Sequence, residues 1–161
     1  MLFRSGHWID RFTLSGTENK KLEPAKDADP VSLVRRLHFD LTGLPPAYKT
    51  VKSFVQDPSP AAYKALVEQL MGSEHFGERM AVYWLDLVRY ADTVGYHGDQ
   101  PHNISPYRDW VIRAFNDNMP YDQFTREQLA GDLLPGSSVQ QKVASGYNRL
   151  LQTTHEGGLQ L

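Results

Sequence analysis

Tyr90, Asp92 and Tyr96 lead into a loop that runs from Asp92 to Ile104, and Tyr107, Arg108 and Asp109 leave it. Loops held between rigid elements are where binding groups concentrate. The guanidinium of Arg108 is suited to clamping a carboxylate or phosphate through two parallel N–H bonds. Tyr90, Tyr96 and Tyr107 would offer hydroxyls and ring faces to the same ligand. Asp92 and Asp109 supply carboxylates for proton transfer. The same residues have a structural alternative, in which Arg108 and Asp92 pair across the base of the loop and pin two helices together.

A second pair of carboxylates, Glu127 and Asp132, lies in the segment REQLAGDLLP. Two carboxyl groups facing each other across a cleft are the equipment of glycoside cleavage. Five residues apart across Gly131, these two are not obliged to face each other, and Asp132 alternatively caps the chain after Gly131. Arg79, Tyr83, Asp86 and Tyr90 recur at spacings of four, three and four, which would place them on one polar stripe of a helix. That stripe either lines a pocket or forms a solvated or internally bonded face.

Metal chemistry has a narrower basis. His97, Asp99 and His102 fall within six residues, and His155 sits beside Glu156 and two glycines. Catalytic zinc takes three protein ligands and a water. The loop lacks the His-Glu-x-x-His helical spacing that fixes ligands in advance, so these four stay candidates and no metal site is assigned. There is no Gly-rich phosphate loop. Ser145-Gly146 lacks the strand–turn–helix setting of a nucleophile elbow. The 3 Trp, 8 Tyr and 7 Phe could stack on sugars, but most lie at core spacing on helices.

The elements that must position these groups read as helices. Asp29-Pro30 is an N-cap followed by proline in the first turn, and Leu33, Val34, Leu37 and Leu41 then share one face. Gly43 ends that helix, and Pro45-Pro46 sets the turn. A short helix follows with Tyr48, Val51, Phe54 and Val55. Ser59-Pro60 opens a third, with Tyr63, Leu66, Val67 and Leu70 inward. Ser73 caps the longest helix, about residues 74–91, whose broad apolar surface (Met80, Ala81, Trp84, Leu85, Leu87, Val88, Ala91) predicts a central position. Ser105-Pro106 starts the next, with Trp110, Val111, Ala114 and Phe115 inward. Asp122 caps a helix with Phe124 and Leu129, and a last one carries Val139, Val143 and Tyr147. The prediction is an all-α fold of about seven helices packed around the 74–91 helix, with no strand. Residues 1–28 read as an irregular segment in which Trp8, Ile9 and Phe12 form a short docking turn. Residues 29–161 read as a single helical domain. Residues 1–5 look like a truncation scar, and the C-terminal end also looks truncated.

Composition agrees with a globular chain and narrows its partners. A chain of 161 residues buries about 70% of its unfolded surface. The 17 basic and 19 acidic side chains leave a net charge of −2, which gives no electrostatic reason to expect nucleic acid or an anionic membrane. No apolar run is long enough to span a bilayer, and the start lacks the pattern of a signal peptide. With no cysteine, disulfides and thiolate metal sites are excluded.

Four segments in order resemble one family: RRLHFDLTGLPP from Arg35 to Pro46, FGERMAVYWLDLVRYADTVGY from Phe76 to Tyr96, YRDWVIRAFNDNMPYDQFTREQLAGDLLP from Tyr107 to Pro135, and GYNRLLQTTHEGG from Gly146 to Gly158. They are similar to the planctomycete-type domain of unknown function that accompanies cytochrome c modules. The resemblance covers nearly everything from about residue 28 onward. It implies a large exported, periplasmic or similarly placed protein, with a c-type cytochrome module before this domain and another domain of unknown function after it. It also implies a Cys-x-x-Cys-His haem-attachment segment shortly beyond Glu-Gly-Gly. That segment is absent here, so haem c is expected only elsewhere in the full-length protein. His155 departs from the pattern, since similar proteins often carry Glu there.

The expected function is therefore an accessory or binding module, with neighbouring domains of its own chain and a glycan or polymer as partners. The alternative is part of a hydrolytic or redox active site built from Asp92, Arg108, Asp109 and Glu127 and completed by residues beyond 161.

Overall fold

The computed structural model describes residues 7–23, 25–94 and 100–150. The fold is all-α. Eight α-helices are present among the described residues: α1 (Trp8–Asn19), α2 (Pro30–Thr42), α3 (Tyr48–Gln56), α4 (Pro60–Met71), α5 (Glu74–Leu87), α6 (Ser105–Asn116), α7 (Tyr121–Ala130) and α8 (Val139–Ala144). Short 3-10 turns follow α7 at Gly131–Leu133 and α8 at Ser145–Arg149. Extended pairing among the described residues is limited to an isolated antiparallel bridge between Thr93 and Pro101 at the neck of the loop.

Local chemistry sets most helix starts. The Asp29 carboxylate accepts from the Ser32 backbone N–H at 3.0 Å and from the Ser32 hydroxyl at 2.7 Å, and these bonds, the hydroxyl one foremost, hold its pKa below the usual value. Ser59 caps α4 and Ser73 caps α5. Ser138 and Gln141 form a reciprocal capping box on α8. Gly43, with φ of 70°, ends α2 in the left-handed conformation. Two expected caps are shifted. Ser105 is the first residue of α6 rather than its cap, and its hydroxyl donates to Asn103. Asp122 lies inside the first turn of α7, where it pairs with Arg126 at 2.9 Å.

Two larger corrections follow from the structure. The N-terminal segment expected to be irregular carries α1, started by His7, whose Nδ1 accepts from the Ile9 N–H. None of its residues is buried. The helix expected over 74–91 stops at Leu87, because Arg89 turns left-handed (φ 59°) and the Tyr90 N–H closes back on the Leu85 carbonyl. Tyr90 and Ala91 therefore lie beyond it, and Leu87 is exposed. Helix α5 keeps the expected central position, packing on α2, α4 and α6, although α6 buries more side chains, with Tyr107, Trp110, Val111 and Ala114 against Gly77 and Ala81 on α5.

Two cores result. Helices α2–α4 enclose Val34, Leu37, Phe54, Leu66 and Leu70. Helices α5–α8 with their loops enclose Ala81, Ile104, Tyr107, Trp110, Val111, Ala114, Phe124 and Ala144. Packing of α5 on both α2 and α6 links them.

The second core depends on two close backbone approaches. A Cβ on Gly77 would fall on the Ile112 carbonyl oxygen and the Asn116 side chain. Asn116 uses the space to accept from the Gly77 N–H at 2.7 Å and donate to the Glu74 carbonyl at 3.0 Å, satisfying groups in the first turn of α5. A Cβ on Gly131 would fall on the Gln141 carbonyl, so that glycine lets α8 close against the end of α7.

Candidate functional site

Four of the expected site residues meet at the neck of the loop. The two arms are held by the His102 N–H on the Asp92 carbonyl at 2.7 Å and the Val94 N–H on the Gln100 carbonyl at 3.1 Å. The Tyr90 hydroxyl donates to Asp92 Oδ1 at 2.6 Å. Burial pushes the Tyr90 phenol up to about 12, and the bond to Asp92 adds to the shift because it favours the protonated hydroxyl. On the other arm, at the start of α6, Arg108 chelates one oxygen of Asp109, with Nε at 3.1 Å and Nη2 at 2.9 Å. That bond is the chief reason the guanidinium pKa rises.

Tyr90, Asp92, Arg108 and Asp109 sense one another electrostatically. They form one partly exposed group at the surface. The expected ion pair of Arg108 with Asp92 is replaced by pairing with the adjacent Asp109. The outcome is two short hydrogen-bonded pairs side by side, Tyr90 with Asp92 and Arg108 with Asp109.

Two expected members go elsewhere. Tyr107, expected at a ligand surface, is 1% exposed. Its hydroxyl donates to Gln128 Oε1 at 2.6 Å, and the Trp84 indole N–H reaches both that oxygen at 3.0 Å and the Tyr107 hydroxyl at 3.1 Å. The Gln128 amide donates to the Phe124 carbonyl at 3.1 Å. Burial pushes the Tyr107 phenol up to about 12. Edge-on and stacked ring contacts of Trp84 and Trp110 with Phe124 surround this knot. Its physical role is to tie α5, α6 and α7 at one point, since a buried polar group is tolerated only when its bonds are made.

Glu127, expected as a catalytic carboxylate, is 6% exposed. Its Oε1 accepts from the side-chain amides of Gln123 at 3.0 Å and Gln141 at 3.2 Å. It joins α7 to α8, and no hydrogen bond or ion pair among the described residues links it to the loop-neck group. Asp132 is exposed within the 3-10 turn after α7, so the pair Glu127 and Asp132 does not flank a cleft.

The polar stripe predicted on α5 is only partly formed. Arg79 donates to the Tyr83 hydroxyl at 2.7 Å and stacks 4.9 Å from that ring's centre. Asp86 is exposed on the helix, and Tyr90 lies beyond it. Of the metal candidates, His102 lies half-buried at the loop neck. Among the described residues, no three carboxylate or imidazole side chains converge as a metal set. Tyr96, His97, Asp99, His155 and Glu156 lie outside the described residues.

Gln128 was missed by sequence reasoning, although a signal existed. It sits four residues after Phe124, on the apolar face of α7, where a polar side chain has to be bonded internally.

Fold and site together define an all-α helical module whose interior polar groups join helices and whose surface polar group guards the neck of one loop. The chain belongs to the family PSCyt2, described as a protein of unknown function (DUF1549), which matches over residues 8–160. That span takes in α1. No curated protein and no solved structure matches the chain. Among the described residues no helix is long and apolar enough to cross a membrane.

Proposed function

We propose that this chain is an accessory binding module of an exported, cytochrome-c-linked multidomain protein, and that it engages a glycan or similar hydroxyl-rich polymer at the Tyr90–Asp92–Arg108–Asp109 group. The observation that carries this is the division of labour among the expected site residues. Glu127 and Tyr107 are committed to helix-joining hydrogen bonds in the core. The four others among the described residues form a partly exposed rim of fixed donors and acceptors around a phenol ring. Planar charged pairs of this kind suit neighbouring hydroxyls, which donate to carboxylate oxygens and accept from guanidinium N–H groups. The ring edge of Tyr90 adds apolar area beside them.

The cytochrome link is supported by the family name and by the resemblance of the four segments. The chain itself has no cysteine, so it has no thiol for covalent haem attachment, and any haem c belongs to another part of the longer protein. Neighbouring domains of that protein are its nearest partners.

The test uses the longer native protein. Arg108→Ala and Asp92→Ala should each abolish retention on the polysaccharide that the unaltered protein binds best in a glycan screen, with the melting temperature nearly unchanged. Retention by both variants would remove the loop-neck group from the binding role. Loss of a catalytic turnover, with binding intact, would favour an active site there. Optical absorption of the same protein checks the haem expectation.

A further inference from the structure

Two features of the N-terminal half stand open among the described residues. The first is α1. Trp8 and Phe12 share one face with Ile9 beside them, Trp8 is 63% exposed and Phe12 is 73% exposed, and their rings touch edge-on. The helix belongs to the matched family span, and an exposed aromatic face of this kind marks an interaction surface. The second is a solvent-open cleft of about 390 Å³ between α3 and α4. Both helices pack on α2, and between them lie Phe54 at the floor, Ala62 and Ala65 on the α4 wall, and Ser53 on the α3 wall. The two alanines leave room for the backbone and rings of an incoming helix, as small residues do wherever helices approach closely. An amphipathic helix laid in such a groove is a recurring recognition mode.

The charges set the direction in which α1 fits. Arg11 and Glu18 are exposed and lie on one flank of the aromatic face, seven residues or about 10 Å apart along the helix. Lys49 and Asp57 mark the two ends of the α3 rim, eight residues or about 12 Å apart. Laid antiparallel to α3, α1 brings Arg11 to Asp57 and Glu18 to Lys49 while Trp8 and Phe12 cover the floor. Laid parallel, it opposes like charges at both ends. Asp57 accepts from the Ser59 N–H through Oδ1 only, which leaves Oδ2 for a guanidinium.

In the structure α1 has no buried residue, and no α1 side chain lines the cleft of its own chain. We propose that the occupant is α1 of a second copy, so that two chains exchange their N-terminal helices reciprocally about a two-fold axis, each filling the α3–α4 cleft of the other. An isologous exchange completes both features at once.

Sedimentation velocity of the full chain tests this. The unaltered protein should be a dimer, and Trp8→Ala with Phe12→Ala should make it monomeric without changing its circular dichroism. Glu18→Lys alone should raise the dissociation constant about tenfold, the effect of losing one charge-assisted contact in each of the two interfaces. Glu18→Lys combined with Lys49→Glu should restore it. Mixing the Trp8/Phe12 variant with Ala65→Arg, each monomeric alone, should regenerate a heterodimer held by the one intact interface. A monomeric unaltered protein overturns the proposal. In that case Phe12→Cys with Ala65→Cys, in a chain that has no other cysteine, would show whether the helix instead closes on its own cleft. A dimer that persists in the Trp8/Phe12 variant, or a charge swap that fails to rescue, also overturns it.

Discussion

The same chemical groups serve opposite ends in two regions of this molecule. At the Trp84–Tyr107–Gln128 knot, a phenol, an indole and an amide pack in the core and bond one another across three helices. At the loop neck, a phenol, two carboxylates and a guanidinium bond one another at the partly exposed surface. Residue type does not separate the two, since each contains a tyrosine whose phenol is raised to about 12. Burial and connectivity do. The knot joins three helices far apart in sequence, whereas each loop-neck pair joins residues one or two positions apart.

The comparison breaks most severely where the core is held by backbone contact. Gly131→Ala puts a methyl group on the Gln141 carbonyl, and neither backbone can move without separating α7 from α8. A loss of about 3 kcal/mol is expected, the upper range for overpacking, read as a lower urea midpoint. Unchanged stability would mean that the α7–α8 contact relaxes freely and that the Glu127 bridge to Gln141 is not rigid.

Gln128→Leu comes next. It keeps volume but removes the one oxygen shared by the Trp84 N–H and the Tyr107 hydroxyl. The buried Tyr107 hydroxyl loses its acceptor while the Trp84 N–H keeps only the Tyr107 oxygen, at a cost of about 2 kcal/mol. Tyr107→Phe should cost only about 1 kcal/mol, because Trp84 still reaches Gln128. If the two variants lost the same stability, Gln128 would not be the hub of the knot.

What the sequence shows and hides follows from the same distinction. Helix starts at Asp29, Ser59 and Ser73 are legible because capping is a local bond between neighbours. The stop of α5 is hidden because no glycine or proline marks it. Arg89 takes the left-handed conformation that a glycine would advertise. Helix α1 is hidden because it has no buried stripe, and tertiary burial is what makes periodicity visible. At the site, the grouping of Tyr90, Asp92, Arg108 and Asp109 is legible because they flank one loop. The role of Tyr107 is misread for a reason visible in the numbers. Positions 107, 110, 111 and 114 share one face, so Tyr107 belongs with Trp110 in the core rather than with Arg108. The bonds of Glu127 depend on how α8 returns, and nothing local encodes that.

Alkaline titration sharpens the contrast with a smaller effect. Both phenols move from the ordinary value near 10 to about 12. In the unfolded chain they ionise near 10, so between about pH 10 and 12 the unfolded state has released protons that the native state still holds. Stability from these groups is complete below pH 10 and falls as pH rises through 12. Difference absorbance should show two of the tyrosines ionising late. Tyr107→Phe should flatten more of the pH-dependent loss than Tyr90→Phe, because Tyr107 is the more deeply buried. The reverse order would place the tighter packing at the loop neck.

The smallest effect is the most informative about function. Arg108 pairs with its immediate neighbour Asp109, and both side chains are about half exposed. A pair so placed is screened by water, and removing it should change stability by less than about 0.5 kcal/mol. Arg108→Ala should therefore melt with the unaltered protein to within the resolution of a thermal scan. Such silence is what a surface group kept for a ligand requires, because a group that also held the fold could not adjust to a visitor without cost. If Arg108→Ala instead destabilised the protein as much as Tyr107→Phe, the loop neck would be a second structural knot, and the contrast between the two regions would collapse. If it melts normally and loses a bound polysaccharide, the charge at Arg108 is there for recognition.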